Sequence, residues 1–255
     1  MPVIKVWSVN RETKKAITIS DFAVPEIIAK EKNINYVIRR TSKPSDCDYY
    51  NADLITLDRL FRYLGFDVTP CVDYDRQDIL DYVKKLSMQD HRATSCLAIV
   101  ILTHGANGGK LCAGDQTYNL SEIMSILTQS PNLTNKPKLL FVQACRGGKT
   151  DEGKIFTEYD GNDDWRLIVP THADYLITYS SPEDYVAFSN ITGSWMIQEI
   201  CKTIKENHKE LDLLHMITLA NEAIAQRISC SDRQDYNQKK QIMETWFTLT
   251  KLLKF

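Results

Sequence analysis

Four short runs dominated by apolar residues mark the chain at Ile34 to Ile38, Cys96 to Leu102, Lys138 to Gln143 and Tyr175 to Tyr179, each bounded by polar or turn-forming residues. Runs of this length that do not alternate with polar positions suit strands buried on both faces. Between them, apolar residues return at three- and four-residue steps instead. Leu54, Leu57, Leu60, Phe61 and Leu64 predict a helix over Asp53 to Leu64 with Gly65 as its stop, and Ile79, Leu80, Val83 and Leu86 predict a second from about Arg76 to Leu86. Asn119 followed by Glu122 reads as a capping-box-like start for a third, which carries Leu120, Ile123, Met124 and Leu127. Gly193 opens a fourth with Trp195, Met196, Ile197, Ile200, Cys201 and Ile204 down one face, and a fifth covers about Leu211 to Ile228. Such stripes are in the first place core-packing faces.

Strands alternating with helices predict an α/β fold: a largely parallel sheet, covered by helices on both faces and wound through right-handed crossovers. Sites in such sheets lie at the carboxyl ends of the strands. One stretch breaks the alternation. Gly147 to Arg166 is polar, glycine-bearing and acidic without periodicity, and is expected to be an exposed, mobile loop open to proteolytic nicking.

The 255 residues suffice for one sizeable core. A net charge of −2, with both signs spread along the chain, offers neither a basic stripe for nucleic acid nor a polybasic membrane patch. The N-terminal MPVIKVWSVNRETKK lacks a continuous apolar core, and no later run approaches the roughly 20 apolar residues that cross a bilayer. A soluble, cytoplasmic protein without nucleic-acid or membrane partners is expected. The seven cysteines, Cys47, Cys71, Cys96, Cys112, Cys145, Cys201 and Cys230, are odd in number, widely spaced and never in a CxxC arrangement with histidines. That argues against a disulfide framework and against structural zinc, and no metal or cofactor is expected.

The candidate chemistry sits where two of the strands end. Gln143-Ala144-Cys145-Arg146-Gly147 follows the apolar Leu139 to Val142, and Thr103-His104-Gly105 follows Leu97 to Leu102. A cysteine attacks as its thiolate, so it needs a neighbour to take or offset the proton. His104 is the histidine placed to do that, since His91 lies in a polar turn and His172, His208 and His215 fall in a loop or on helices. After acylation His104 would protonate the leaving amine and then activate water. The backbone N–H groups of Gly105 and Cys145 are the natural donors to the oxyanion.

The pentapeptide is the local signature of caspase-type cysteine proteases, in which a histidine lies about 50 residues upstream; here His104 precedes Cys145 by 41. The chain resembles the caspase family from about Asn33 to Phe255. Ala173-Asp174-Tyr175-Leu176 with Tyr179-Ser180, then Gly193-Ser194-Trp195 and Ile197-Gln198, are similar to the start of the family's small subunit. Lys239-Lys240-Gln241-Ile242 followed by Leu249-Thr250-Lys251 is similar to its C-terminal strand.

The resemblance implies a six-stranded sheet, a thiol endopeptidase that cuts after aspartate in apoptotic proteolysis, and a zymogen. It divides a single domain into a short N-terminal segment (1–32), a large-subunit-like part (33–150), an inter-subunit loop (151–166) and a small-subunit-like part (167–255). It also implies a dimer formed through the last strand, here about Thr245 to Thr250, and maturation by cleavage after Asp160, with Asp151 and Asp164 as runners-up. No recruitment domain is expected ahead of the core, because about 30 residues cannot hold one.

In one respect the chain departs from the family. Aspartate selection there rests on two arginines and a glutamine, and only the glutamine, Gln143, is matched. Ser189 stands where the family has the arginine of Trp-Arg-Asn, and Cys47, six residues before Asp53, stands where it has that of Arg-x-Gly. Arg39, Arg40 or Lys43 could swing in at the second position. Val186 and Phe188 replace the usual tyrosine and tryptophan beside Trp195 and should reshape neighbouring subsites. Stripping one partner from a buried arginine–carboxylate pair costs on the order of 2–5 kcal/mol, so aspartate selectivity should be weakened or altered. Three readings follow. The first is an endopeptidase with altered selectivity; the second is a low-activity homologue regulating an active caspase by heterodimerisation. The third is a hydrolase preferring a basic residue through Glu183 or Asp184.

Overall fold

The computed structural model describes residues 26–28, 32–38, 44–152 and 173–255, with side chains from residue 51 onward except Asn107. The elements run β1 (Glu26–Ile28), β2 (Lys32–Ile38), α1 (Pro44–Tyr63), β3 (Phe66–Val72), α2 (Arg76–Ser87), β4 (Cys96–Leu102), β5 (Gly105–Ala106), β6 (Lys110–Cys112), β7 (Thr117–Tyr118) and α3 (Leu120–Thr128). They continue as β8 (Lys138–Gln143), β9 (Tyr175–Tyr179), β10 (Ser189–Asn190), β11 (Gly193–Ser194), α4 (Trp195–Asn207), α5 (Leu213–Gln226), β12 (Glu244–Phe247) and β13 (Leu252–Lys254).

The central sheet has six strands in the order β12-β9-β8-β4-β2-β3. All neighbours are parallel except β12, which pairs antiparallel with β9 at one edge. Every residue of β4 is buried, and the period-two rule of a strand divides them between two cores. Ala98, Val100 and Leu102 join Leu57, Phe61, Met196 and Ile200 beneath α1, α4 and α5. Leu97, Ile99 and Ile101 join Val83, Ile123 and Leu127 beneath α2 and α3. An apolar run without alternation is therefore what a strand between two helical layers requires.

The four predicted strands are present, three with the predicted bounds. A fifth, β3, is not legible as an apolar run, because its sequence is FDVTPCV and much of it faces solvent. Pro70 is tolerated there because β3, among the described residues, is the edge strand beside β2. Helix α3 carries the expected capping box of Asn119 and Glu122. Two expectations need correction. Helix α1 starts at Pro44, so Asp53 lies inside it and does not open it. The C-terminal strand is Glu244–Phe247, shorter than Thr245 to Thr250, because the chain bends after Phe247 to place β13 beside β1. Among the described residues no helix is long and apolar enough to cross a membrane.

Candidate active site

Strands β4 and β8 are parallel neighbours in register Leu102↔Gln143, and Thr103 N–H donates to the Gln143 carbonyl at 3.1 Å. His104 and Cys145 each lie two residues beyond that matched pair, so both leave the sheet at the same rim. The contact is close. A Cβ built on Gly105 would sit 1.4 Å from the carbonyl oxygen of Cys145 and 2.6 Å from its carbon. Only glycine lets the backbone after His104 lie this near the cysteine. On the other side, Thr103 Oγ1 donates to the Cys112 carbonyl at 2.7 Å and Cys112 N–H donates to the His104 carbonyl at 3.0 Å. The small β5–β6–β7 sheet thus holds the histidine segment in place.

The cysteine segment is tied down from β9. Ser180 Oγ donates to the Ala144 carbonyl at 2.8 Å and accepts Ala144 N–H at 3.3 Å. The half-buried Cys145 thiol meets the Ala187 peptide unit: Ala187 N–H donates to Sγ at 3.4 Å, and Sγ lies 3.8 Å from the Ala187 carbonyl oxygen. That segment is held by Gln241, a buried residue that donates to the Ser180 carbonyl at 2.8 Å and accepts Phe188 N–H at 2.7 Å. Its bridging role is not visible in the chain, where it is one polar residue among several.

The residues expected to line a substrate pocket divide. Val186 and Trp195 are buried, and the Phe188 ring packs against Trp195 with centroids 5.1 Å apart. Ser189 is exposed on β10, paired with Ser194 of β11. Gln143 is buried, and its Oε1 has no hydrogen-bond partner among the described residues. An unpaired buried acceptor is costly, and a bound ligand that donates to it would relieve the cost. Cys47 lies within α1, so counting it back from a helix-opening Asp53 has no structural basis; its side chain is outside the described residues.

Three cations among the described residues, Arg146, Lys149 and Arg227, are engaged, and Arg39, Arg40 and Lys43 lie outside the described residues. Arg146 pairs with Glu244 of β12 and stacks over the Tyr179 ring at 4.1 Å. Arg227 pairs with Glu199, and Lys149 pairs with Asp184 at 2.8 Å. Asp184 already has Lys149 as an exposed ion-pair partner, against which a basic substrate would compete. Asp151 lies in an isolated antiparallel bridge, its carbonyl accepting Lys240 N–H at 2.9 Å, while Lys239 pairs with Glu152. Asp160 and Asp164 are outside the described residues.

Asp53 joins the two halves of the chain. Its fully buried carboxylate accepts Ser194 N–H at 2.9 Å and Gln198 Nε2–H at 2.8 Å. Gly193, at φ 121°, makes room for it, since a Cβ there would lie 2.3 Å from Asp53 Oδ1. Burial pushes the Asp53 carboxyl up to about 6. A folded-state value above the unfolded one means that the stability it confers is complete in acid and is lost as pH rises through about 6. Asp53→Asn should therefore flatten the pH dependence of unfolding between roughly pH 4 and pH 8 by about 3 kcal/mol. Urea melts of both proteins across that range check this; parallel curves would refute it.

Comparisons with known proteins agree with this geometry. The family model described as "Caspase domain" matches residues 32–254. The chain is 36% identical over 214 residues to "Caspase drICE" of Drosophila melanogaster, covering 80% of this chain and 63% of that protein. It is 37% identical over 216 residues to "Caspase-1" of the same organism, covering 80% and 66%. It thus spans just under two thirds of the length of each. The crystal structure of caspase-1 from Spodoptera frugiperda superposes with a TM-score of 0.77 at 29% identity, covering 88% of this chain and 89% of that one.

Proposed function

We propose, from the premise that this chain belongs to the caspase family, that it is a cysteine endopeptidase with weakened or altered preference for aspartate before the scissile bond. The observation that carries the chemistry is the close approach of Gly105 to Cys145, which brings the residue next to His104 against the peptide unit of the nucleophile. His104 takes the thiol proton as Sγ bonds to the scissile carbonyl carbon. The oxyanion that forms is met by the N–H groups of Gly105 and Cys145. Collapse breaks the C–N bond, and His104 returns the proton to the departing amine. Water, deprotonated by His104, then hydrolyses the thioester and regenerates the thiol.

Altered selectivity is supported by the neutral Ser189 beside Trp195, and by the pairing of Arg146, Lys149 and Arg227 with acids of their own. The substrates are proteins cleaved in apoptotic or related signalling, and the enzyme acts in the cytoplasm. Cleavage of a diverse peptide library, with Cys145→Ala as control, tests this. Cys145-dependent cutting after residues other than aspartate is the expected result, and strict cutting after aspartate would refute the altered pocket.

The exposed Trp246 and Phe247 on β12, an edge strand paired on one side among the described residues, favour a second component of the same reading. An open apolar edge favours pairing with another strand. The occupant would be a second copy or a related caspase. If the chain proves to lack activity, regulation of that caspase becomes its role. Trp246→Lys should convert the dimer to monomer in sedimentation, and an unchanged dimer would exclude β12 as the interface.

Maturation in the inter-subunit loop should spare Asp151. A protease needs an extended, unpaired backbone, whereas Asp151 is bridged to Lys240. Limited digestion with an aspartate-directed protease, followed by N-terminal sequencing, should give a first new terminus beyond residue 152; a first cut after Asp151 would contradict this.

A further inference from the structure

Helices α1 and α4 pack side by side, and a cavity of about 530 Å³ opens to solvent along their outer seam. It is lined by Thr56, Arg59 and Tyr63 from α1 and by Gln198, Lys202 and Lys205 from α4, each set recurring at three- or four-residue steps along one helix face. Three cations therefore converge on the cavity against one carboxylate, that of Glu206. None of the three has an ion-pair partner among the described residues. On α1, Asp58 next to Arg59 is occupied by Arg62 at 2.9 Å, and Asp53 is engaged by Gln198 and Ser194.

Crowding unpaired cations on a helix seam is unfavourable for the free protein, since like charges three or four residues apart repel. An anion bound between them reverses that cost, and phosphate oxygens suit a mixed arginine and lysine set. The exposed Tyr63 ring forms one wall of the same cavity, edge-on to the His208 ring with centroids 5.6 Å apart. It offers a face on which a planar ring can stack. The floor is ordered before any ligand arrives, because Gln198 is fixed by its hydrogen bond to Asp53 at 2.8 Å. Preorganisation of this kind lowers the cost of binding. The volume falls within the range of sites that enclose small molecules.

We propose that the α1–α4 seam is a binding site for a nucleoside polyphosphate, with Arg59, Lys202 and Lys205 on the phosphates and Tyr63 against the base. The site lies outside the Cys145 rim and does not depend on the peptidase reading.

The test is titration calorimetry of the full chain with ATP, tripolyphosphate and adenosine in low salt. Two variants accompany it, the doubly substituted Lys202→Glu/Lys205→Glu and Tyr63→Ala, with circular dichroism to confirm that each is folded. ATP should bind more tightly than tripolyphosphate and far more tightly than adenosine. Reversing the two lysines should weaken ATP by about tenfold or more per charge. Tyr63→Ala should erase the preference of ATP over tripolyphosphate while leaving tripolyphosphate binding intact. Absence of ATP binding at millimolar concentration, equal affinity for ATP and tripolyphosphate, or indifference of binding to lysine reversal would each overturn the proposal.

Discussion

Gly105→Ala should remove nearly all peptidase activity while leaving the protein folded. The added methyl would fall 1.4 Å from the Cys145 carbonyl oxygen, far inside any allowed contact. The colliding atom is backbone, so no side-chain rotation relieves it. Either the segment after His104 or that around Cys145 must shift by more than an ångström. Both are held by their own hydrogen bonds, the first to Cys112 and the second to Ser180, so the shift misaligns His104, the thiol and the Gly105 N–H together. Loss of one oxyanion donor alone costs about 10²–10³ in turnover, and misplacement by about 1 Å costs a similar factor. A fall in kcat of at least about 10³ is therefore expected. Far-ultraviolet circular dichroism should be unchanged, because the collision lies at the rim and not in either core. Retention of even a tenth of the activity would show that the reaction does not use this geometry.

Ser189→Arg should strengthen cleavage after aspartate. Ser189 is exposed on β10 in extended backbone paired with Ser194, so a long side chain can be placed there without disturbing either core. On the proposed reading a guanidinium there would face the substrate side chain together with Gln143, whose Oε1 is unpartnered among the described residues. Among the described residues Arg146, Lys149 and Arg227 are already paired with Glu244, Asp184 and Glu199, while Arg39, Arg40 and Lys43 lie outside the described residues. A charge-assisted bidentate bond to a substrate carboxylate stabilises by roughly 1.5–3 kcal/mol. The ratio of kcat/KM for aspartate over asparagine peptides should accordingly rise by about 10–100-fold. Measured with paired peptides differing only in that residue, an unchanged ratio would show that Ser189 does not face the substrate side chain.

The fold was largely legible because its signals are local. A strand buried between two helical layers has to be apolar at every position, so Cys96–Leu102 and Lys138–Gln143 declare themselves. A helix covering one face must repeat every three to four residues, as α2 and α4 do. The edge strand β3 was missed for the converse reason: with one side open to solvent, it carries polar residues and Pro70 at no cost. The start of α1 was missed because its first turns lack an apolar stripe, and that error also displaced the anchor for Cys47.

What the sequence by itself determined is that Cys145 and His104 share one rim of the sheet. Cys145 and His104 each end an apolar run, and parallel neighbouring strands bring such ends together by register alone. What only the tertiary structure decided is everything that depends on contacts distant in the chain. These include the seating of Gly105 on Cys145, the link of Asp53 to Ser194 across 141 residues, the span of Gln241 between Ser180 and Phe188, and the pairing of Asp184 with Lys149. The physical reason is that periodicity records which face of an element is buried, whereas the partner a polar side chain finds is set by the three-dimensional packing of elements whose order along the chain does not encode it.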